Sequence, residues 1–456
     1  MDWGGAFSSL LCSPPAHQSR IKGIENLFFC VHPMMSDSSD SSSTSSSDSI
    51  SSSDGSDSSD DFFLEICTLS LLLSEREVKR HRLRVAWEDH ATILQHEKQF
   101  EAKYRMPYEA FMKLAKLLEP NLSQDSSKSL NSCGQPAICH HHILGLTIRW
   151  LSGGSYHDIR DAGNFSSSSF FRLLKKGLFA ILNCVQLAIT LPETEEDLVH
   201  VAEGFKYKST EGVMAGCVGA LDGMLLLIRT PSREEISNVR QFFSGHYQRM
   251  GINVQGLVDS NLRFLYVGVL GGGRSSDYKV YQRSKIKTWI ENLPPMFFVA
   301  GDNAYVCSEH LLTPFCGNNH SIPENDAYNF YLSQLRIRVE MAFGLLKTKW
   351  RILRSPLEVP LADSGNVLLA CCMLHYYCIN QRLQVDNEVR IERFYGEGEL
   401  QLGYVPSDIE SSPHNGSVLR TRIVQRVQNK ALSRPELNVQ RRNFEDARKA
   451  MYFTHL

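Results

Sequence analysis

Three short stretches, GALDG at 219–223, GDNAY at 301–305 and RVEMAFG at 338–344, decide how this chain reads. Each offers one carboxylate, Asp222, Asp302 or Glu340, at the end of an apolar strand-like run or on a helix. Three acids drawn together repel one another, and a fold tolerates that mainly where a divalent cation neutralises them. Asp, Asp and Glu in this order and setting point to metal-dependent phosphodiester chemistry.

Each acid also has a plain structural reading. Asp222 can cap a turn with Gly223, Asp302 can form an Asp-Asn turn, and Glu340 can pair with Arg336 four residues before it. A surface pair of that last kind is worth only tenths of a kcal/mol. Gly344, one turn beyond Glu340, costs about 1 kcal/mol against Ala in mid-helix, so its presence beside an acid reads as space left for an ion or a nucleic-acid strand. The helix and its exit carry Arg336, Arg338, Lys347, Lys349, Arg351 and Arg354 with Glu340 as the sole acid, a charge pattern suited to a phosphate backbone. Asp277, after Gly271–Gly273 and Ser275-Ser276, is a fourth candidate that equally caps the next helix.

Outward from these stretches, the chain is α/β. Cys217–Asp222 and Leu225–Ile228 read as strands. Ile252–Val258 and Arg263–Leu270 read as a hairpin turning at Asp259, Ser260 and Asn261, and Met296–Ala300 as a buried strand before Gly301-Asp302. A helix is expected around Ser284–Glu291. Another, over Leu332–Trp350, has a stripe of apolar residues at a spacing of three and four. A third, Val367–Ile379, is apolar nearly all round.

Before this region the pattern is helical. Phe111, Leu114, Leu117 and Leu118 mark one helix face. Residues 141–182 read as a helix to about Leu151, a short helix at Tyr156–Ala162, a turn at Gly163-Asn164 and a helix from about Ser166. That is the layout of a helix-turn-helix, with Ser167, Ser168, Ser169, Arg172 and Lys175 toward a groove, although a plain helical bundle has the same pattern.

The 456 residues suffice for two domains and flexible ends, and 42% hydrophobic content supports a sizeable core. Residues 1–68 read as a disordered Ser/Asp-rich region, 69–200 as a helical DNA-binding domain, 210–385 as the α/β domain and 386–456 as a polar tail with a basic helical end at 436–452. Ser36–Asp61 holds seven Asp and no Lys or Arg, so the rest of the chain has 48 basic against 43 acidic residues. Such a mild surplus is compatible with nucleic acid without being diagnostic. No secretory signal is recognised, and Leu64–Leu73 is too short to span a membrane, which takes about 20 apolar residues. The scattered cysteines read as reduced. Cys133, Cys139 and His140–His142 fit no common zinc spacing. A G-x-S-x-G elbow and a phosphate-binding loop of Walker type are both missing.

Five ordered blocks resemble one family. GALDG, FFSGHYQRMGINVQGLVDSNLRFLYVGVLGGGRSSDYKVY at 242–281, GDNAYVCSEHLLTPF at 301–315, YNFYLSQLRIRVEMAFGLLKTKWRIL at 328–353 and LLACCMLHYYC at 368–378 are similar to the PIF/Harbinger DDE transposases and the nucleases derived from them. The resemblance covers roughly 105–385. It implies an RNase H-like catalytic domain, a mixed sheet flanked by helices, with Asp222, Asp302 and Glu340 as catalytic acids. It also implies Asp277 as a further metal ligand, although Ser276 stands where the family usually has His.

The implied activity is two-metal cleavage of DNA with Mg²⁺ or Mn²⁺, with or without strand transfer. The competing expectation is a DNA-binding scaffold of transposase origin without catalysis. The expected partners are double-stranded DNA and, by the resemblance, a Myb/SANT-like accessory protein, with no membrane; a homo-oligomer is left open. The expected location is the nucleus, with the cytoplasm left open, and Lys79-Arg80-His81-Arg82 is a weak candidate signal.

Overall fold

The computed structural model describes residues 84–133, 137–317, 319, 322–381, 417–436 and 438. The Ser/Asp-rich region, the basic run at 79–82 and nearly all of 436–452 lie outside the described residues.

The chain from Arg84 opens with eight helices: α1 (Trp87–His96), α2 (Phe100–Tyr104), α3 (Tyr108–Leu122), α4 (Ser126–Cys133), α5 (His140–Leu151), α6 (Tyr156–Ala162), α7 (Ser167–Leu182) and α8 (Glu195–Lys208). Their ends follow local chemistry. The Ser166 hydroxyl accepts from the Ser169 N–H at 3.2 Å and starts α7. Thr194 and Asp197 form a reciprocal capping box at α8. Beyond α5, Gly153 adopts a φ of +86°, and a β-carbon there would lie 2.9 Å from the Arg351 Cβ, so the turn needs glycine twice over.

Six strands follow: β1 (Cys217–Leu227), β2 (Phe243–Ser244), β3 (Arg249–Val258), β4 (Phe264–Gly272), β5 (Phe298–Ala300) and β6 (Leu311–Leu312). β3 lies antiparallel to β1, β2 and β4, while β5 runs parallel to β1 and β6 parallel to β5. The main ladder is therefore β4-β3-β1-β5-β6, with β2 at the end of β3. The two strands read from 217–222 and 225–228 are one, because Gly223 and Met224 stay paired to Gln255 and Val254.

Two short helices, α9 (Asp277–Gln282) and α10 (Lys285–Glu291), link β4 to β5. Helix α11 (Pro323–Lys349) has 27 residues, about 40 Å at 1.5 Å per residue. It starts nine residues before the apolar stripe at Leu332, because Pro323 sits at its first turn and Ala327 and Tyr328 are also buried. It packs on β1, β3 and β5. Helix α12 (Leu361–Asn380) packs on α7 and β4, and the Tyr377 hydroxyl donates to the Ala110 carbonyl at 2.7 Å. Helical and sheet parts thus share one core.

Within the segment read as a polar tail, helix α13 (Val418–Asn429) docks on α11. Leu419, Ile423 and Val427, spaced by four, form its buried face. Arg426 donates to the Val213 and Ala215 carbonyls just before β1. Arg434 grips both carboxylate oxygens of Asp326 at 2.9 Å, a charge-assisted fork at the first turns of α11. The overall polarity of 386–456 concealed this face, since three buried residues in twelve are a faint stripe. Ile423 is fully buried. Ile423→Ala is expected to cost about 2–4 kcal/mol, read as a lower urea midpoint with unchanged slope; an unchanged midpoint would mean the helix does not dock.

Candidate active site

Parallel pairing sets the first two acids side by side. Ala220 of β1 is opposite Ala300 of β5, and Asp222 and Asp302 each stand two residues further along. Both are partly buried. The Asp222 Oδ1 accepts from the Gly223 N–H at 2.8 Å, and the Asp302 Oδ1 from the Ala304 N–H at 2.9 Å. Burial, and then the charge of Asp302, hold the Asp222 carboxyl well above the usual carboxylate range, with Arg336 and the Gly223 N–H opposing. Burial likewise raises Asp302, against the pull of Arg336 and the Ala304 N–H.

Asp277 reaches the pair from elsewhere. It is the first residue of α9, behind the Ser276 cap. Its Oδ1 accepts from Asn253 Nδ2 at 2.6 Å and from Gln255 Nε2 at 3.4 Å. Burial raises this carboxyl and the amide donors pull it down. Gly223 is what lets it approach: a β-carbon there would lie 2.4 Å from the Asp277 Oδ1.

Glu340 takes the plain reading. Its Oε1 lies 3.7 Å from an Arg336 guanidinium nitrogen, and its side chain is 47% exposed. Asp222 is paired with Gly256, and a β-carbon on Gly256 would meet Phe343 of α11. Asp222 therefore points to the α11 face of the sheet, whereas Asp277 comes over Gly223 on the other face, because successive strand residues alternate. In consequence, among the described residues no three His, Cys, Asp or Glu side chains converge closely enough to hold one ion. Asp222, Asp302 and Asp277 interact electrostatically, and Glu340 stands apart in its ion pair.

Other side chains at the site escaped the sequence reading. The Tyr305 hydroxyl donates to the Gln255 Oε1. Gln255 Nε2 donates to the Asn253 Oδ1 at 3.0 Å, and Asn253 is the donor on Asp277. Two amides two residues apart in the apolar run INVQGLV were the available signal, since such groups are buried only when hydrogen-bonded. At Cys139, the Sγ lies 2.9 Å from the His142 Nδ1, and the His142 Nε2 lies 3.0 Å from the Val85 carbonyl.

In donor chemistry, aspartates are the hard oxygen ligands that Mg²⁺ or Mn²⁺ takes. The mutual repulsion of Asp222 and Asp302 is the kind of cost that a bound cation relieves. The residues therefore fit such an ion in type, with Asp222 and Asp302 as the core of the site.

Comparison with known proteins agrees with this picture. The family described as DDE superfamily endonuclease matches residues 221–376, which span Asp222, Asp277, Asp302 and Glu340. "Protein ALP1-like" of Arabidopsis thaliana is 22% identical over 303 residues, covering 63% of this chain and 72% of that protein. "Putative nuclease HARBI1" of Rattus norvegicus is 24% identical and that of Homo sapiens 23%, each over 290 residues, 62% of this chain and 78% of the relative. No solved structure matches the chain significantly. Fold and matched region together define a DDE-type endonuclease domain on a mixed sheet flanked by helices, preceded by a helical region. Within that class, the chain is similar, at 22–24% identity, to the ALP1-like protein and the putative nuclease HARBI1.

The raised carboxyl of Asp222 has a signed consequence. Its folded pKa lies above the unfolded value of about 3.9. It therefore costs no stability below that unfolded value, and destabilises the fold increasingly as pH rises through the folded pKa. Asp222→Asn is expected to raise the urea midpoint at pH 7 in EDTA, with the two proteins converging by pH 4. Equal midpoints at pH 7 would contradict the repulsion.

Proposed function

We propose that this protein is a metal-dependent DNA endonuclease of the Harbinger DDE type, on an RNase H-like domain. The observation that carries the reading is the juxtaposition of Asp222, in the middle of β1, with Asp302, two residues past the end of the parallel strand β5, with the charge of Asp302 raising the Asp222 carboxyl. The sheet order, with two antiparallel strands on one side of β1 and two parallel strands on the other, supports the RNase H-like assignment.

Bound Mg²⁺ or Mn²⁺ would acidify an attacking water or 3′-hydroxyl and neutralise charge at the scissile phosphate. By the family resemblance, Asp222, Asp302 and Glu340 would be the catalytic acids, with Asp222 and Asp302 the core that would hold the ions and Asp277 a further ligand. Open space beside Gly344, one turn beyond Glu340, leaves room for a phosphodiester on this face of α11. Arg336 supplies positive charge against Asp222 and Asp302. Exposed Ser167, Ser168 and Arg172 on α7 suit contact with duplex DNA, the helix-turn-helix reading.

Strand transfer, nuclear residence, a Myb/SANT-like accessory protein and a homo-oligomer belong to the same reading by family resemblance. No helix among the described residues is long and apolar enough to cross a membrane. One observation favours the alternative, a DNA-binding scaffold without catalysis: Glu340 is engaged with Arg336, away from the aspartates.

Incubation of the full chain with supercoiled plasmid and Mn²⁺ separates the two. Nicking by the wild type is expected to fall more than about 100-fold in Asp302→Asn, beyond the range of changes outside the ligand shell, and in Glu340→Gln. Salt-sensitive DNA binding without nicking would favour the scaffold, and equal nicking by wild type and Asp302→Asn would remove the assigned site.

A further inference from the structure

Away from the acids, a cleft in the helical region carries positive charge that nothing in its walls balances. It lies between α1, α2, α5 and α6, and Trp87, His90, Tyr104, His142, Arg149 and Phe165 are among the residues that line it. The cavity measures about 50 Å³, room for a few waters. Among the described residues, no Asp or Glu lines it. Arg149 stands in the last turn of α5 and is partly buried. Its guanidinium makes no hydrogen bond or ion pair among the described residues. Lys103, near the end of α2 and also partly buried, has no ion pair among them either.

Each of these groups feels the charge of the others. Burial, and then Arg149, lower the Lys103 ammonium from its usual range, with Glu97 opposing. Burial, followed by Lys103, His142 and Arg149, brings His90 down to about 4, so its ring is neutral at pH 7. That ring shares a hydrogen bond of 2.8 Å between its Nε2 and the Tyr104 hydroxyl. Trp87 stacks on Phe111 and His141, with ring centroids 5.0 and 5.5 Å away. Its buried indole N–H has no acceptor among the described residues. Gly145 admits these rings, since a β-carbon there would lie 3.2 Å from both Trp87 and Tyr104. Partly buried cations without counter-ions are a cost that apolar side chains would avoid. An anion in the cleft removes it. A guanidinium fork beside an ammonium suits the oxygens of a phosphate. The position agrees with that choice: Ile159 and Gly163 set the cleft against the turn between α6 and α7, and α7 begins with the exposed Ser167 and Ser168.

We propose that this cleft is a phosphate-binding site, in which Arg149 binds the phosphate oxygens and Lys103, beside the cleft, adds positive charge. The phosphate belongs either to the backbone of a DNA duplex lying on α6 and α7 or to a free small molecule. The site needs neither a metal ion nor cleavage, and only its DNA source rests on the helix-turn-helix reading given above.

Calorimetric titration of the full chain with inorganic phosphate, in EDTA and at constant ionic strength, tests the site without metal or DNA. Saturable binding by the wild type is expected. Arg149→Met should weaken it about 10–100-fold through the loss of charge-assisted hydrogen bonds, and Lys103→Met several-fold. Without phosphate, Arg149→Met should keep or raise the urea midpoint, because it removes a partly buried cation that has no counter-ion. Duplex binding measured over a salt series in EDTA then identifies the source. A salt slope that falls by about 0.9 in Arg149→Met assigns the phosphate to the DNA backbone. An unchanged slope, with phosphate binding lost, assigns it to a free small molecule; either result supports the site. Absence of saturable binding by the wild type overturns the proposal. So does wild-type affinity in Arg149→Met, or a lower phosphate-free midpoint in that variant. If the wild type binds phosphate through Arg149 but binds no duplex, the helix-turn-helix reading falls and the cleft stands.

Discussion

The repulsion between Asp222 and Asp302 is the constraint around which the rest of this structure is organised. Parallel pairing of β1 with β5 leaves the two carboxylates adjacent, partly buried, and each opposed to the other's ionisation. Nothing in a stable core calls for that arrangement, since burying like charges costs free energy that a Leu or Asn would not. The surroundings mitigate it. Backbone N–H groups of Gly223 and Ala304 each donate to one oxygen, and the Arg336 charge acts on both. The framework is correspondingly firm: β1 is central in the ladder, α11 packs on it, α13 docks on α11, and Arg434, beyond the end of α13, holds Asp326 in the first turns of α11. Strain at a site persists only where surrounding packing over-determines it.

The other two acids show how differently a sheet and a helix present a carboxylate. Asp277 is held by two amide donors from a buried strand, and Gly223 gives it room. Glu340 sits on the α11 surface at the end of a flexible side chain, with a long contact to Arg336 as its tie. One is placed by the fold and the other by a weak exposed pair. An exposed i,i+4 pair is worth a few tenths of a kcal/mol, so a modest change in local charge suffices to move Glu340.

Much of this was legible in the residues. The strand, hairpin and helix signals around Asp222, Asp302 and Glu340 carry strong periodicity and turn chemistry, and the hairpin at Asp259–Asn261 forms where those signals put it. Three things were not legible, each for a physical reason. The helix at 418–429 hides three buried residues in a polar stretch, and its stability comes from tertiary contacts with α11 and the Val213–Ala215 segment rather than from its own pattern. Helix α9 is only six residues long, too short for a periodic signal. Which acids meet depends on the face each occupies, and that is fixed by the β1–β3 register and by a glycine contact between residues 54 positions apart in sequence. Spacing along the chain carries no trace of it.

That same register explains why the family pattern and the geometry rank the acids differently. Counting along the sequence makes Asp222, Asp302 and Glu340 the set, with Asp277 a lesser addition after an unusual Ser276. Electrostatics in the folded chain couples Asp222 to Asp302 first and to Asp277 after it, and leaves Glu340 with Arg336. Arg336 joins the two descriptions, because one guanidinium acts on the aspartate pair and also touches Glu340. Any added positive charge near Asp222 and Asp302 competes with Arg336 for the same field. Arg336 and any such cation would therefore act on the same pair of carboxylates.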